Sequence, residues 1–431
     1  MDYRYARQST GWTYLFLTPL VKVVYLLLFR KIYLHNRKSV KPNTPVLIAA
    51  NHPTAFIDPC FFTTFFDPPV YNMTRGDIFR KPFFRMLLES CNMFPVFRQR
   101  DGYTDKDRND EAFEFSQNKL CKRVAVNIFV EGEHHLDKRI LPIQKGIARI
   151  AFATYAQHQL EDLQVVPVGC NYNHGQQTRD EAKIIVGTPL FIKDYWPTYE
   201  QNPNIAVNQL CRDILKALKA ICYHIEDRAD DEFAEQLLTL WRTDHPADRL
   251  PVIEYQASRF WGEKAILDQL NLMPEPEKNR HRELTTTYFN ALENAAIKDE
   301  ALMHPAHAKP EWLLFLIPFA PIALLGFLLG WPVRFLAYGV AQKKVKKQEF
   351  YTSVLMGMGV IVGFIYFLGM FTCGILLSAP WLVTLALLLP LLAWVYIFWK
   401  ETLLRWKAAK KAKFYPGREH LLALRKAVGA F

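Results

Sequence analysis

The chain has 431 residues, more than one ordinary domain, and half of them are apolar. The formal net charge of +11 suits a surface that faces anionic lipid headgroups or anionic substrates. Nucleic acid is not an expected partner, because the sequence shows no basic helix other than a basic tail, no zinc-ligand spacing and no RNP-like strand. Seven scattered cysteines without C-x-x-C spacing favour a reducing, cytosol-facing compartment and argue against a metal site.

A first apolar run, Trp12–Phe29, contains Lys22 and has basic residues on both sides. A lysine at the centre of a bilayer costs about 2.5–3.5 kcal/mol. For residues 1–40 we therefore predict a membrane-associated helix that lies in the interface or dips into one leaflet, in preference to a full span.

Residues 41–200 alternate short β-rich runs with longer amphipathic stretches. This alternation predicts an α/β fold with a mainly parallel central sheet flanked by helices. In such sheets, binding sites form at the carboxyl ends of the strands. The predicted strands are Val46–Ala50, Val70–Thr74, Met93–Phe97, Val124–Val130, Val165–Val168 and Lys183–Val186, and the predicted helices are Phe79–Cys91, Asp107–Cys121 and Lys145–Gln157.

Residues 201–310 form a charged, soluble segment that is rich in helical patterns. The clearest predicted helices are Asn204–Glu226 and Asp230–Arg242. No pattern that carries chemistry occurs in this segment.

The chain ends in a predicted membrane region, residues 311–400, and a basic amphipathic cytoplasmic tail, residues 401–431. Val354–Leu377 and Trp381–Trp399 are each long enough to cross a bilayer and predict a transmembrane hairpin, with the basic clusters on either side of it in the cytoplasm. The apolar stretch 312–331 contains prolines and glycines. We expect it to be re-entrant or interfacial, which leaves the α/β domain facing the cytoplasm in an integral membrane protein.

The segment Asn51–Asp58 directly follows a predicted buried strand. His52 is a candidate general base, since a neutral imidazole accepts a proton near neutral pH and a nearby carboxylate holds its tautomer. Asp58 supplies that carboxylate if residues 52–58 form a turn. Because Pro59 follows it, Asp58 also fits the alternative role of helix N-cap.

Two later blocks bring further polar groups to the same sheet edge. Arg98 follows the strand at residues 93–97 and offers a bidentate donor suited to phosphate. In the next block, Glu131 is placed to orient a basic partner or to bind a substrate hydroxyl, Gly132 permits a tight turn, and His135 follows it. Lys145 precedes the glycine that begins a predicted helix, whose free N–H groups form an anion site.

These blocks, with the strand Val165–Val168, resemble in order and spacing the glycerol-phosphate acyltransferase family, which is defined by an Asn-His-x4-Asp motif. Five residues separate His52 from Asp58 here. This gap and the histidine at position 135 are closest in pattern to the fungal-type glycerol-3-phosphate/dihydroxyacetone-phosphate acyltransferases. That subgroup also carries C-terminal membrane segments.

The resemblance implies a membrane-bound O-acyltransferase of phospholipid synthesis. His52 would be the general base with Asp58 as its partner, while Arg98, Glu131, Gly132, His135 and Lys145 would hold the acceptor. The acyl donor would be acyl-CoA or acyl-carrier protein, used as a co-substrate with no cofactor and no metal. The acceptor would be glycerol 3-phosphate or dihydroxyacetone phosphate, and membrane lipids would be the surroundings.

Two alternatives stay open at this point. One is an enzyme of the same kind that acylates lysophosphatidic acid or an amino-acid lipid. The other is a non-catalytic lipid-binding membrane protein with the same fold.

Overall fold

The computed structural model describes residues 11–67, 69–96 and 107–429. The chain divides into two compact units. The first, called the α/β unit, comprises residues up to 223 together with residues 251–257 and 345–356. The second, called the helical unit, comprises residues 224–250, 258–344 and those from 357 onward. The predicted boundaries at residues 200 and 310 do not coincide with this division.

The α/β unit is built on a nine-stranded sheet with the order β4-β3-β5-β2-β6-β7-β1-β9, and β8 pairs with β6. All neighbours are parallel except β6–β7 and β6–β8, which are antiparallel. The predicted mainly parallel sheet is therefore confirmed. The strands are β1 (Phe29–His35), β2 (Val46–Ala50), β3 (Val70–Arg75), β4 (Met93–Val96), β5 (Ala125–Phe129), β6 (Gln164–Tyr172), β7 (Asp180–Val186), β8 (Leu190–Phe191) and β9 (Ile253–Glu254).

Strand β1 was not predicted, because its basic residues made it look like the flank of a membrane helix. In the structure Lys31 is 2% exposed, and its ammonium pairs with Glu254 of β9 at 2.7 Å. A buried lysine is tolerated when a carboxylate compensates its charge. The partner lies more than 200 residues away in the sequence, so only the folded chain reveals it.

Helices cover the sheet and its ends. They are α1 (Trp12–Leu28), α2 (Ile57–Phe65), α3 (Pro82–Ser90), α4 (Asp107–Cys121), α5 (Gly146–His158), α6 (Trp196–Gln201) and α7 (Pro203–Ile221). The core between sheet and helices is aromatic, with Tyr25, Phe61 and Phe62 fully buried.

One face of α1 packs on α2, since the hydroxyls of Tyr14 and Tyr25 donate to the carbonyls of Thr63 and Ile57. On the other face, Trp12 is 89% exposed. This amphipathic arrangement suits a helix in the membrane interface, and that placement stays a prediction.

The helical unit contains α8 (Asp231–Asp244), α9 (Ser258–Leu272), α10 (Glu275–Ala295), α11 (Asp299–Met303), α12 (Leu313–Lys344), the greater part of α13 (Tyr351–Leu376), α14 (Pro380–Lys413) and α15 (Arg418–Val428). The predicted tail is an integral part of this unit. Leu421 and Val428 pack into its core, and Arg425 forms ion pairs with Asp244 and Asp299.

Helix α12 runs without a break from Leu313 to Lys344, and the re-entrant or interfacial placement of residues 312–331 stays a prediction. Its prolines remove helix hydrogen bonds, and two side chains donate to carbonyls in the same turns. The indole of Trp399 donates to the carbonyl of Leu316, five residues before Pro321, and Arg334 donates to the carbonyl of Phe327, five residues before Pro332.

Among the described residues, three helices are long and apolar enough to cross a membrane: Pro310–Lys344, Gln348–Leu376 and Pro380–Lys413. The second and third correspond to the predicted hairpin. Gly326 allows close packing of α12 on α14, since a Cβ at this position would lie 2.2 Å from the carbonyl oxygen of Leu392. The membrane nature of the C-terminal region is thus supported by the length and composition of these helices.

Candidate active site

The loop that follows β2 carries the motif histidine. It is anchored by Asn51, whose side-chain amide donates to the carbonyl of Cys170 at 3.0 Å and accepts from the N–H of the same residue at 2.7 Å. Asn51 is 6% exposed and therefore holds the loop to the neighbouring strand β6. Its role in the motif is structural.

His52 and Asp58 form a direct pair, with 2.8 Å between Nδ1 and Oδ2. The two residues are brought together by the turn that was predicted for residues 52–58. The N-cap role of Asp58 is wrong, because α2 begins at Ile57 and places Asp58 in its first turn. From there the carboxylate reaches back towards the loop.

The Asp58 carboxylate is fully buried and completely surrounded by donors. Oδ2 also accepts the backbone N–H of Thr54 at 2.8 Å, and Oδ1 accepts the hydroxyls of Thr54 at 2.7 Å and Tyr172 at 2.6 Å. Burial raises the pKa of Tyr172 well above its usual range, so its hydroxyl remains a donor. These bonds compensate the buried charge and fix the orientation of the carboxylate.

The backbone of His52 is held as firmly as its side chain. Its N–H donates to Oε2 of Glu131 at 3.1 Å, and its carbonyl accepts the N–H of His135 at 3.3 Å. Residues 131–135 therefore position His52 from the end of β5. Gly132, at φ 72°, makes the turn that this approach requires, as predicted from the sequence.

Glu131 fits the first of its two predicted roles, that of orienting a basic partner. Its side chain is fully buried, and Oε1 accepts the backbone N–H of Leu141 at 2.8 Å and lies 3.4 Å from Nε2 of His135. With Oε2 bonded to His52, the carboxylate has no free surface for a substrate hydroxyl. The expectation that Glu131 binds the acceptor directly is thus corrected. Its carboxylate instead holds the backbone of His52 and Leu141 and the ring of His135.

His135 combines a structural contact with one open polar atom. Burial lowers the pKa of this imidazole, but the hydrogen bond and charge of Glu131 outweigh burial and leave the pKa raised. The buried Nδ1 has no hydrogen-bond partner in the described part of the chain. A protonated ring would offer this N–H to an acceptor oxygen, so the predicted substrate contact of His135 stays open.

Aromatic rings lie against the His52 imidazole. His52 stacks on Phe129 with 3.8 Å between ring centroids, and the His134 ring meets it edge-on at 5.7 Å. Burial, followed by the neighbouring His52, lowers the pKa of His134 to about 4. His134 is therefore uncharged near neutral pH and adds no positive charge beside the base.

This geometry defines the protonation pattern of the base. Because Asp58 is an acceptor, we assign the neutral tautomer of His52 with its proton on Nδ1. Nε2 then has a free lone pair, and it has no hydrogen-bond partner in residues 11–67, 69–96 and 107–429. The His52 side chain is 16% exposed, so the imidazole is not sealed off from solvent.

Two predicted binding residues are not brought to His52 by a described contact. Arg98 lies outside the described residues. Lys145 is exposed at the start of α5. Its charge acts on Cys211 of α7: burial raises the pKa of this thiol, and Lys145 and Arg149 partly lower it again. Both roles stay predictions.

Sequence reasoning missed Thr54, Tyr172 and Phe129 as parts of the site. Thr54 lies inside the motif, four residues before Asp58. This spacing could have indicated a hydrogen bond from its hydroxyl to the carboxylate. Tyr172 ends strand β6, at the sheet edge where sites form. Its partner is 114 residues away, so the pairing itself needs the fold.

The fold and this site define the class of protein. Residues 31–171 match the acyltransferase family. The match contains the loop of His52, its partner Asp58 and the turn at Glu131. The relationship to glycerol-phosphate acyltransferases that the motifs indicated is confirmed by the relatives.

The chain is 26% identical over 260 residues to glycerol-3-phosphate O-acyltransferase 2 of Saccharomyces cerevisiae. This alignment covers 57% of this chain and 34% of the yeast protein. It is 25% identical over 237 residues to an uncharacterized acyltransferase of Schizosaccharomyces pombe, covering 52% and 34%. It is 29% identical over 111 residues to glycerol-3-phosphate O-acyltransferase 1 of S. cerevisiae, covering 25% and 15%. The chain thus spans about a third or less of the length of these relatives.

Proposed function

We propose that the protein is a membrane-bound O-acyltransferase that moves a fatty acyl group from acyl-CoA or acyl-carrier protein to a hydroxyl of glycerol 3-phosphate or dihydroxyacetone phosphate, in phospholipid synthesis. The observation that carries this proposal is the pair of His52 and buried Asp58, with 2.8 Å between Nδ1 and Oδ2 and the His52 side chain partly exposed. The names of the yeast relatives support the choice of acceptor.

In this reaction Nε2 of His52 takes the hydroxyl proton as the acceptor oxygen attacks the thioester carbonyl carbon. A tetrahedral intermediate forms, and its collapse breaks the C–S bond. The thiolate leaves and receives the proton from the imidazolium, so the products are an ester and a free thiol. Asp58 stabilises the transient imidazolium and keeps the ring oriented.

The proposed reaction takes place at the membrane surface. Transfer of an acyl chain from water to lipid is favourable by about 0.8 kcal/mol per CH₂ group, so the donor chain and the product partition into the bilayer. We place the catalytic residues on the cytoplasmic side. In support, the α/β unit includes residues 345–356, which carry Lys346 and Lys347 of a predicted cytoplasmic basic cluster.

The experiment is an acyl-transfer assay on the full chain, purified in detergent, with labelled palmitoyl-CoA. Glycerol 3-phosphate, dihydroxyacetone phosphate and lysophosphatidic acid are offered separately as acceptors. We expect transfer to glycerol 3-phosphate or dihydroxyacetone phosphate. His52→Ala is expected to lower kcat by about 10²–10⁴-fold, the usual contribution of a positioned base.

The matched control is His158→Ala, which removes an exposed histidine at the end of α5. It is expected to leave the rate unchanged. A His52→Ala protein as active as the wild type would exclude the catalytic role. A folded wild type that acylates none of the acceptors would favour a non-catalytic lipid-binding protein, and transfer to lysophosphatidic acid alone would favour that acceptor.

A further inference from the structure

The connection between two apolar helices packs on the catalytic loop. Residues 345–356, here called the connecting segment, link α12 to α13 but belong to the α/β unit. Ser353 accepts the backbone N–H of Phe56, in the loop of His52, at 2.9 Å. Thr352 donates to the carbonyl of Gly175 at 2.9 Å. Both side chains are buried, so these are lasting contacts of the folded unit.

Gly175 contacts Thr54, which is hydrogen-bonded to Asp58 of the proposed catalytic pair. A Cβ at Gly175 would lie 2.7 Å from Cγ2 of Thr54, so the backbone here touches the residue that donates to Asp58. The connecting segment therefore holds the motif loop at two places, Phe56 and the surroundings of Thr54.

The same segment contacts the ring of His134 beside His52. The ring of Phe350 meets the edge of His134 with 4.7 Å between centroids, and His134 in turn meets His52. The N–H of Phe350 donates to the carbonyl of Lys347 at 3.1 Å, which closes a turn and places Lys347 next to this contact.

Two cations lie near His134. The side chain of Lys347 is exposed and has no ion-pair partner among the described residues. Arg75, at the end of β3, is held by Asp77 through Nε and Nη2, and Nη1 has no hydrogen-bond partner among the described residues. The pKa of His134 is lowered first by burial and then by His52. The carboxylate of Glu349 raises this pKa, and the charges of Lys347 and Arg75 lower it by smaller amounts.

We propose that the connecting segment forms one wall of the active site and that Lys347, with Arg75, binds a phosphomonoester dianion of the substrate. Lysine is suited to this role as a mobile point charge, and arginine as a directional donor. The inference rests on the proposed function. The dianion is either the phosphate of the acceptor or the 3′-phosphate of coenzyme A, which share this chemistry.

The test compares Lys347→Ala with Lys343→Ala, which removes one charge from the same basic cluster at the exposed end of α12. Calorimetric titration of the detergent-solubilised full chain with glycerol 3-phosphate is expected to show a dissociation constant about tenfold higher for Lys347→Ala, the scale of one charge-assisted contact. Lys343→Ala is expected to stay within about twofold of the wild type.

Kinetics then identify the source of the phosphate. If Lys347 binds the acceptor, the KM of the acceptor rises in Lys347→Ala, while kcat and the KM of acyl-CoA are retained. If it binds coenzyme A, the KM of acyl-CoA rises instead, that of acyl-dephospho-CoA does not, and the loss of affinity appears in titration with coenzyme A. Either result supports the inference.

The inference is overturned if Lys347→Ala and Lys343→Ala have the same affinities for glycerol 3-phosphate and coenzyme A and the same KM values. Because the titrations require no turnover, they decide the role of Lys347 even in a protein that transfers no acyl group. A wild type that binds glycerol 3-phosphate through Lys347 without acylating it would contradict the proposed function alone.

Discussion

Tyr172 offers the sharpest test of how the catalytic pair is held. Its hydroxyl donates to Oδ1 of Asp58 at 2.6 Å in a fully buried setting. A hydrogen bond to a charged group contributes about 1.5–3 kcal/mol. Thr54 still donates to the same oxygen in a Tyr172→Phe protein, so the carboxylate is not left bare. The expected loss therefore lies at the lower end, about 1.5 kcal/mol.

A loss of about 1.4 kcal/mol in transition-state stabilisation corresponds to a tenfold lower rate. We expect kcat of Tyr172→Phe to fall by about this factor, because the carboxylate is freer to rotate and the imidazole is less well oriented. The KM of the acceptor should change little, since the pair acts on the reacting hydroxyl and not on the binding of the phosphate.

The matched control is Tyr25→Phe. Tyr25 is also buried, and its hydroxyl donates to Ile57, the residue before Asp58 in α2. The acceptor there is a neutral backbone carbonyl, at 2.7 Å. Removal of this bond should lower the free energy of unfolding by about 1 kcal/mol and leave kcat unchanged. The assay is acyl transfer at saturating substrate, combined with chemical denaturation of the detergent-solubilised protein. Equal kcat values for the two variants would refute the reasoning.

Three further changes test other parts of the site. Asp58→Asn is expected to lower kcat by at least about 100-fold at nearly unchanged acceptor KM, because the amide cannot stabilise the imidazolium; a retained rate would show that the carboxylate is only structural. Glu131→Gln should lower the free energy of unfolding by about 1–3 kcal/mol, since the amide nitrogen then opposes a backbone N–H, and equal stability in denaturation would refute the anchoring role. The pKa of His135 is raised by Glu131, so the stabilising contribution of this contact is present below the unfolded pKa and is lost as the pH rises through the folded value. The stability difference between wild type and His135→Gln should accordingly be larger near about pH 6 than near about pH 9, and a difference that grows with pH would contradict this sign.

Hydrophobic runs and turn residues were sufficient to predict the sheet and the loop that carries the base. Val46–Ala50 is a strand as predicted, and Asp107–Cys121 a helix, because local apolar patterns directly report burial. The position of His52 at the carboxyl end of a parallel strand followed from the same pattern. The motif also indicated Asp58 as its partner, since a short turn can return a side chain over six residues.

Contacts between distant parts of the chain were decided only by tertiary structure. Lys31 is a strand residue because Glu254 neutralises it, and Tyr172 belongs to the site because β6 lies beside β2. The prolines at 318, 321 and 332 do not break α12, where Trp399 and Arg334 donate to carbonyls near two of them. Local sequence encodes conformation and burial, whereas compensation of a buried charge depends on which remote group packs against it.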